Sequence, residues 1–324
     1  MVDVAIIGAG PVGLACGIEA KRQGLTHRII EKGALVNSLV GYPARMEFFS
    51  TPELLEIGGH PFPSKGYKPT REEGIEYYRR VAEAEGLDLR LYEAVERVEG
   101  APDRFEIHTE KDTHLSRRVV LATGFFDVPN YLGIPGEDLP KVTHYFREPY
   151  PYSHQRVAVI GAKNSAAKAA LSCYRQGAYV TLIHRGPAIS DSVKYWIKPD
   201  LENRISEGAI ETRFNSTLTR ITEDEIHIDT PSGAERIPND WVLAMTGYRP
   251  NYDFLQRLGI AIEDDDARTP VYDDESFETN RPGLYMAGTV CGGLDTSRWF
   301  IENGRFHAQQ IMRHIAHDHP VAAS

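Results

Sequence analysis

Two glycine-rich turns stand where this chain could grip phosphates. The first is Gly8-Ala9-Gly10-Pro11-Val12-Gly13, directly after the apolar run Val4-Ala5-Ile6-Ile7. Gly8 permits a tight turn out of a strand, Gly10 lets a pyrophosphate approach the backbone, and Gly13 allows a helix to pack close to a sheet. A helix-like segment over residues 14–23 would offer unpaired N–H groups and a positive dipole end to those phosphates. A break at Gly24 and a second apolar run, Arg28-Ile29-Ile30, lead to Glu31, which can accept both hydroxyls of an adenosine ribose. The order of strand, glycine turn, helix, strand and acid, with the acid about 20 residues after the turn, predicts a dinucleotide site.

The pattern recurs. Val157-Ala158-Val159-Ile160 leads into Gly161-Ala162-Lys163-Asn164-Ser165-Ala166, then a helix over 167–175, Gly177 and a strand over 179–183. Lys163 replaces the middle glycine; its side chain would crowd a pyrophosphate unless the turn shifts, although its ammonium could contact a phosphate. The second strand ends in His184-Arg185 where the first copy has Glu31-Lys32. A basic pair favours the 2′-phosphate of NADP over bare ribose hydroxyls, since Arg presents a fork of donors matched to phosphate. The second turn is therefore expected to prefer NADPH.

Other candidates for chemistry are few. Cys16, Cys173 and Cys291 are far apart and contain no C-x-x-C. They form neither a disulfide framework nor a cysteine-rich zinc site. His314, His317 and His319 lack acidic or Cys partners at ligand spacing, so no metal is expected. The net charge of −10 argues against general nucleic-acid binding and requires local basic groups for any anionic cofactor. No apolar run approaches the roughly 18 residues of a membrane span. The N-terminus enters a strand almost at once, which leaves no room for a signal peptide and sets the expectation of a cytoplasmic protein.

The scaffold around these residues can be read from the same patterns. The 324 residues suggest about two domains. Residues 32–62 form a long connection rich in Gly, Pro and aromatics, a candidate wall over a flat ligand. Residues 69–85 read as a helix, with Ile75, Tyr78, Val81 and Ala82 at helical spacing and Gly86 as its cap. Strands are expected over 87–92, 94–99, 104–109 and 117–122, the last running into Thr123-Gly124. Residues 126–152 read as an interdomain crossing. Beyond the second turn, a helix is expected over 199–207, strands over 210–214, 217–221, 225–229 and 241–244, and a short helix over 253–258. Finally, 283–289 reads as a strand and 297–317 as one C-terminal helix. The fold class expected is α/β, with two Rossmann-like, three-layer dinucleotide-binding domains, the second inserted into the first. The first domain would be discontinuous, 1–125 plus 280–324, and the second would span 153–279.

This arrangement resembles the two-dinucleotide flavoproteins of the thioredoxin-reductase-like group over essentially the full chain. Within that group it resembles the bacillithiol-disulfide reductase family. The residues that carry the resemblance are the first turn with Ile30-Glu31-Lys32-Gly33, Tyr42-Pro43 through Phe48-Phe49-Ser50, and His144-Tyr145-Phe146. The Gly-x-Lys-Asn-Ser-Ala turn, Trp196-Ile197, Met245 through Pro250, and Phe300-Ile301-Glu302-Asn303-Gly304 complete the match. The resemblance implies FAD at the first turn, NADPH at the second, and a low-molecular-weight disulfide, bacillithiol disulfide, as substrate. It implies a cytoplasmic homo-oligomer, dimer or tetramer, without nucleic-acid or membrane partners. FAD would then meet Gly8, Gly10, Pro11, Val12, Gly13, Glu31 and Lys32. From the connections it would meet Ser38, Tyr42, Ser50 and Val95, and at the strand ends and last helix Thr123, Gly124, Gly288, Thr289, Phe300 and Ile301. NADPH would meet Gly161, Lys163, Asn164, Ser165, Ala166, His184, Arg185, Gly247 and Tyr248.

One departure bears on mechanism. Some members of that family carry a cysteine at the position of Val12, proposed as the thiol that exchanges with substrate. Valine cannot do this. Cys16 lies one helical turn further on the same face, but its neighbours Leu14, Ala15 and Gly17 favour a buried, structural thiol. Cys291 follows the turn at Gly288 and is the other weak candidate. The catalytic group is otherwise unassigned. A flavin monooxygenase, a ferredoxin or flavodoxin reductase, and a non-enzymatic NADPH sensor remain alternatives. The monooxygenases often carry F-x-G-x-x-x-H between their two fingerprints, and residues 125–151 lack it.

Overall fold

A computed structural model describes residues 1–318 and divides them into two compact units. The first comprises 1–41, 45–128 and 248 onward; the second comprises 42–44 and 129–247.

In the first unit, Val2–Ile7 is the centre of a seven-stranded sheet. It pairs in parallel with His27–Ile30 on one side and Thr113–Leu121 on the other. Leu89–Arg90 extends one edge in parallel, and Leu284–Met286 pairs in parallel with the end of Thr113–Leu121. Val95–Ala101 and Arg104–Thr109 form an antiparallel meander on the start of that strand. Helix Pro11–Arg22 packs on the sheet between Arg71–Glu85 and His307–Asp318. Val4, Ala5 and Ile6 are wholly buried, as a strand covered on both faces requires.

Local chemistry explains the helix ends. Thr70 and Glu73 form a reciprocal capping box at the start of Arg71–Glu85, and Gly86 closes it at φ 59°. Ile75 of the expected apolar stripe is only half-buried; Tyr77 takes that place, its hydroxyl donating to His60 O at 2.9 Å. The single C-terminal helix expected over 297–317 is two helices, Ile301–Gly304 and His307–Asp318. The break has a packing cause: Gly304 sits against Gly288, so close that a Cβ would lie 3.2 Å from Gly288 Cα. Phe300 and Phe306, apolar positions of the expected helix, are exposed, whereas Ile311 and Ile315 are buried. His319 lies outside the described residues.

The segment 248–279 belongs with the first unit. The Arg281 guanidinium ties it there, donating to Leu258 O as well as to Val98 O and Gly100 O of the meander.

The second unit repeats the theme. Its five-stranded parallel sheet runs Glu211–Arg213, Tyr179–Ile183, Arg156–Ile160, Trp241–Ala244, Val142–Thr143. Alternate residues of its strands serve two cores. Val157, Val159 and Leu243 pack with helix Asn164–Arg175, while Ala158, Ile160 and Val242 pack with Leu218, Ile226 and Ile228. The latter three belong to an antiparallel sheet of Thr217–Ile221, Glu225–Thr230 and Gly233–Pro238. Helix, parallel sheet and antiparallel sheet make three layers. Gly233–Pro238 adds a strand to those expected, because its exposed face leaves no apolar alternation to read.

Candidate functional site

Register converges the first site. Ile7 lies opposite both Ile30 and Leu121, and Leu121 lies opposite Met286. The carboxyl ends of four parallel strands are thus level. The residues just beyond them meet at one edge: the first glycine turn, Glu31, Thr123-Gly124 and Gly288-Thr289. Ligands of open α/β sheets bind at this edge.

The turn has the geometry its glycines suggest. Gly8 has φ +112° and donates to Ile30 O at 2.8 Å; a Cβ there would lie 2.5 Å from Ala122 O. A Cβ on Gly13 would lie 1.9 Å from Gly8 O. Gly10, by contrast, faces open space, with nothing within 4 Å of its Cβ position. No side chain caps the helix that starts at Pro11, so its N-terminus is left for another acceptor. This open cradle fits a pyrophosphate.

Glu31 is buried at 8 % exposure; its two carboxylate oxygens accept the N–H groups of Ala9 and Gly33, each at 2.9 Å. Each oxygen keeps a lone pair for a ribose hydroxyl. Burial pushes its pKa up, opposed by those two N–H groups. Lys32 is paired with Asp127 at 2.6 Å. Val36 N–H binds Ala9 O and so ties the connection beyond it, with Ser38 in helix Asn37–Gly41, to the turn. Tyr92 and Glu93 donate back to Gly33 O and Glu31 O, which places the strand opened by Val95 beside the same acid. Glu93 is itself clamped by buried His114 at 2.6 Å.

On the other side, Gly124 and Thr289 are neighbours, with Thr289 Oγ1 3.5 Å from a Cβ on Gly124. A Cβ on Gly288 would lie 3.1 Å from the Val12 side chain. Val12 therefore fills the joint between the glycine turn and the last strand. Phe300 precedes helix Ile301–Gly304, and its N–H donates to Asn303. Ser50 Oγ donates to Glu302 at 2.6 Å, so its hydroxyl serves this helix. Tyr42 falls in the second unit.

All three thiols are fully buried. Burial pushes Cys16 and Cys173 up to about 12, and Cys291 further still. A protonated thiol sealed in apolar surroundings neither attacks nor is attacked.

His307 escapes a sequence reading, since a histidine within an amphipathic helix carries no spacing signal. Its ring is 2 % exposed, stacked on Phe277 at 4.1 Å and edge-on to Trp299 at 4.3 Å. Nδ1 accepts the Gly288 N–H at 3.1 Å, which requires a neutral ring. Burial first, then the Arg298 charge, lowers its pKa from 6.5 to about 4. Above pH 6.5 both folded and unfolded states hold this ring neutral. As pH falls from 6.5 towards 4 the unfolded state takes up a proton that the folded state refuses, so stability declines, by on the order of 3 kcal/mol once both are protonated. Denaturant unfolding across that range should show this loss, and His307→Gln, which keeps an acceptor but cannot titrate, should flatten it. Identical pH slopes would remove His307 from the account.

The second unit reproduces the edge. Ile160 lies opposite Ile183 and Ala244, Gly161 N–H donates to Ile183 O at 3.0 Å, and Gly161 has φ +125°. A Cβ there would lie 2.5 Å from Met245 O, the same separation as Gly8 from Ala122 O. Lys163 caps helix Asn164–Arg175 at φ −96°, a backbone any residue adopts, with its side chain exposed. Ser165 is exposed and Ala166 buried. The Asn164 side chain is bonded to protein, accepting from Lys194 N–H and donating to Ser192 O. His184 is half-buried, its pKa lowered by burial and then by Arg185. Arg185 is exposed and has no acidic partner among the described residues. Gly247, at φ +88°, ends this edge; Tyr248 belongs to the first unit, its ring 4.6 Å from Phe126. Among the described residues no three His, Cys, Asp or Glu groups could hold a metal ion, and no helix is long and apolar enough to cross a membrane.

Comparison with known proteins gives these two edges a context. Residues 5–288 match the family described as pyridine nucleotide-disulphide oxidoreductase. The chain is 42 % identical over 315 residues to the bacilliredoxin reductase Bdr of Bacillus subtilis (strain 168), covering 96 % of each protein. It is similar to the solved structures of the bacillithiol disulfide reductase Bdr (YpdA) from Staphylococcus aureus, at 40 % identity and TM-score 0.95, and from Bacillus cereus, at 39 % and 0.96. Each comparison covers 98 % of this chain, with 98 % and 99 % of the respective structures.

Proposed function

The chain belongs to the pyridine nucleotide-disulphide oxidoreductase family, and from that footing we propose that it is an FAD-dependent enzyme that uses NADPH to reduce the disulfide of bacillithiol. The observation that carries the substrate is the likeness to the two bacillithiol disulfide reductases along the whole chain, both glycine edges included. The reaction balances as NADPH, a proton and one disulfide giving NADP⁺ and two thiols. FAD, held at the first glycine turn, would supply the two-electron redox chemistry between NADPH and the disulfide.

The chain's own groups supply position. In this reading Gly8, Gly10, Gly13 and the uncapped helix start hold the FAD pyrophosphate, and Glu31 holds the ribose. Thr123-Gly124 and Gly288-Thr289 approach from the other strand ends, and Phe300-Ile301 from the start of helix Ile301–Gly304. The Gly161 turn with Lys163 receives the NADPH phosphates, and Arg185 its 2′-phosphate. No thiol of the chain relays electrons: all three are buried and held protonated, which supports direct reduction of the small disulfide. Three unpaired thiols suit a reducing cytoplasm.

The test is anaerobic. NADPH should bleach the flavin band, and bacillithiol disulfide should restore it. Variants with Cys16, Cys173 and Cys291 each changed to Ala should turn over as fast as the parent. Restoration only by oxygen or by ferredoxin would refute the disulfide reading; loss of turnover in one folded, flavin-loaded Cys variant would restore a thiol relay.

A further inference from the structure

Residues 186–197 lead from Arg185 to helix Lys198–Ser206. This loop is stitched to the second glycine turn by three hydrogen bonds. Ser190 N–H donates to Ala162 O at 3.1 Å, Asn164 Nδ2 donates to Ser192 O at 3.0 Å, and Lys194 N–H donates to Asn164 Oδ1 at 3.0 Å. Ile189, Val193 and Ile197 are buried along it, so the loop is anchored throughout. On that anchored loop two large rings reach the surface: Tyr195 is 82 % exposed and Trp196 44 %, and they meet edge to face at 4.8 Å. They begin one and two residues past the Asn164 staple, within about 8 Å of it along the chain.

Two exposed cations lie on the segments this loop joins, Lys163 next to Asn164 and Arg185 next to Gly186. Lys163 and Arg185 are exposed and without acidic partners among the described residues. Asp191, the one acid in the loop, is paired with Lys198 at 2.7 Å. Exposed rings on a loop stapled to a turn that carries exposed cations complement one chemical class, a nucleotide, whose bases stack and whose phosphates are anionic.

We infer that Tyr195 and Trp196 form a stacking platform for a heteroaromatic ring of the nucleotide held at the second glycine turn, with Asn164 as the positioning residue that fixes the platform to the turn. This rests on the reading that NADPH binds there. Tyr195 is largely exposed, and Asn164 acts through the loop rather than on the ligand.

The flavin-loaded protein, titrated with NADP⁺ and with 2′,5′-ADP by calorimetry, tests this. Trp196→Ala should weaken NADP⁺ binding roughly 5- to 100-fold, the range base stacking on an aromatic supplies. Trp196→Phe should recover most of it. Equal weakening of 2′,5′-ADP assigns the ring as adenine, and unchanged 2′,5′-ADP assigns it as nicotinamide; either supports the platform. Asn164→Ala should weaken NADP⁺ and admit protease within 186–197, with Asn164→Asp, which keeps the acceptor and loses the donor, falling between. The flavin band should not move in any of them, and Trp196→Phe should keep the parental melting temperature. If Trp196→Ala leaves both affinities within about twofold while Arg185→Ala weakens NADP⁺, the platform is wrong and the NADPH reading stands. If Arg185→Ala is also silent, the NADPH reading fails with it. A change in oligomeric state with unchanged affinity would instead make the two rings an interface between copies, and overturn the inference.

Discussion

Gly10→Ala should fold as stably as the parent yet purify colourless, with its affinity for added FAD reduced at least about 100-fold, on the order of 3 kcal/mol. Gly10 has φ −71° and ψ 175°, an ordinary extended backbone, and its Cβ position meets nothing within 4 Å. The methyl therefore strains no protein atom. It fills instead the space through which a pyrophosphate would reach the uncapped N–H groups of helix Pro11–Arg22. Gly13→Ala makes the contrast. Its methyl would lie 1.9 Å from Gly8 O, on backbone that cannot yield cheaply, so it should destabilise the fold itself by about 1–3 kcal/mol or more. Thermal melting and the flavin absorbance of purified protein separate the two effects. A yellow Gly10→Ala protein with parental affinity would remove the pyrophosphate from this turn.

Arg185→Ala should raise KM for NADPH roughly 10- to 100-fold while leaving KM for NADH near its parental value. The two nucleotides differ only in the 2′-phosphate, and Arg185 is the exposed guanidinium at the end of the second strand of that edge. It has no acidic partner among the described residues, so its removal strands no opposite charge and stability should hold. Arg185→Lys should fall between, because an ammonium keeps the charge and loses the fork of donors. Steady-state kinetics with both nucleotides decide. Equal rises for the two would sink the assignment, and no rise at all would move the 2′-phosphate to another cation, with Lys163 the next candidate.

Much of this is legible in the chain order. The glycines of both turns announce themselves because their requirement is local: a left-handed φ or a Cβ collision within a few residues of sequence. Gly8 and Gly161 show the local part, each at positive φ; the carbonyls of Ala122 and Met245, 2.5 Å from where a Cβ would stand, come from strands far along the chain. Gly86 marks a helix end for the same reason, since its cap is a left-handed φ at one residue.

The unread parts depend on who meets whom. The break at Arg305-Phe306 in the C-terminal helix arises because Gly304 is pressed on Gly288, sixteen positions earlier in the chain, and helical periodicity alone runs straight through it. Asn164 reads as a nucleotide ligand in the turn; that its side chain also bonds Ser192 and Lys194, nearly thirty residues on, is not announced by spacing. His307 gives no sequence signal because its meaning is a bond to Gly288 N–H inside a ring stack.

Residue type at fixed spacing is enough for the α/β class, the repeated dinucleotide turn and the contrast between Glu31 and Arg185. The fate of the thiols is set by packing instead. Spacing puts Cys16 one turn past Val12 at a helix start, where a dipole could activate it; packing seals it and Cys291 from solvent, and desolvation of a thiolate there outweighs the dipole. Val12, in sequence the place of an absent nucleophile, is in the fold the side chain that fills the joint against Gly288. Burial is a sum over neighbours distant in the chain, and no local pattern contains it.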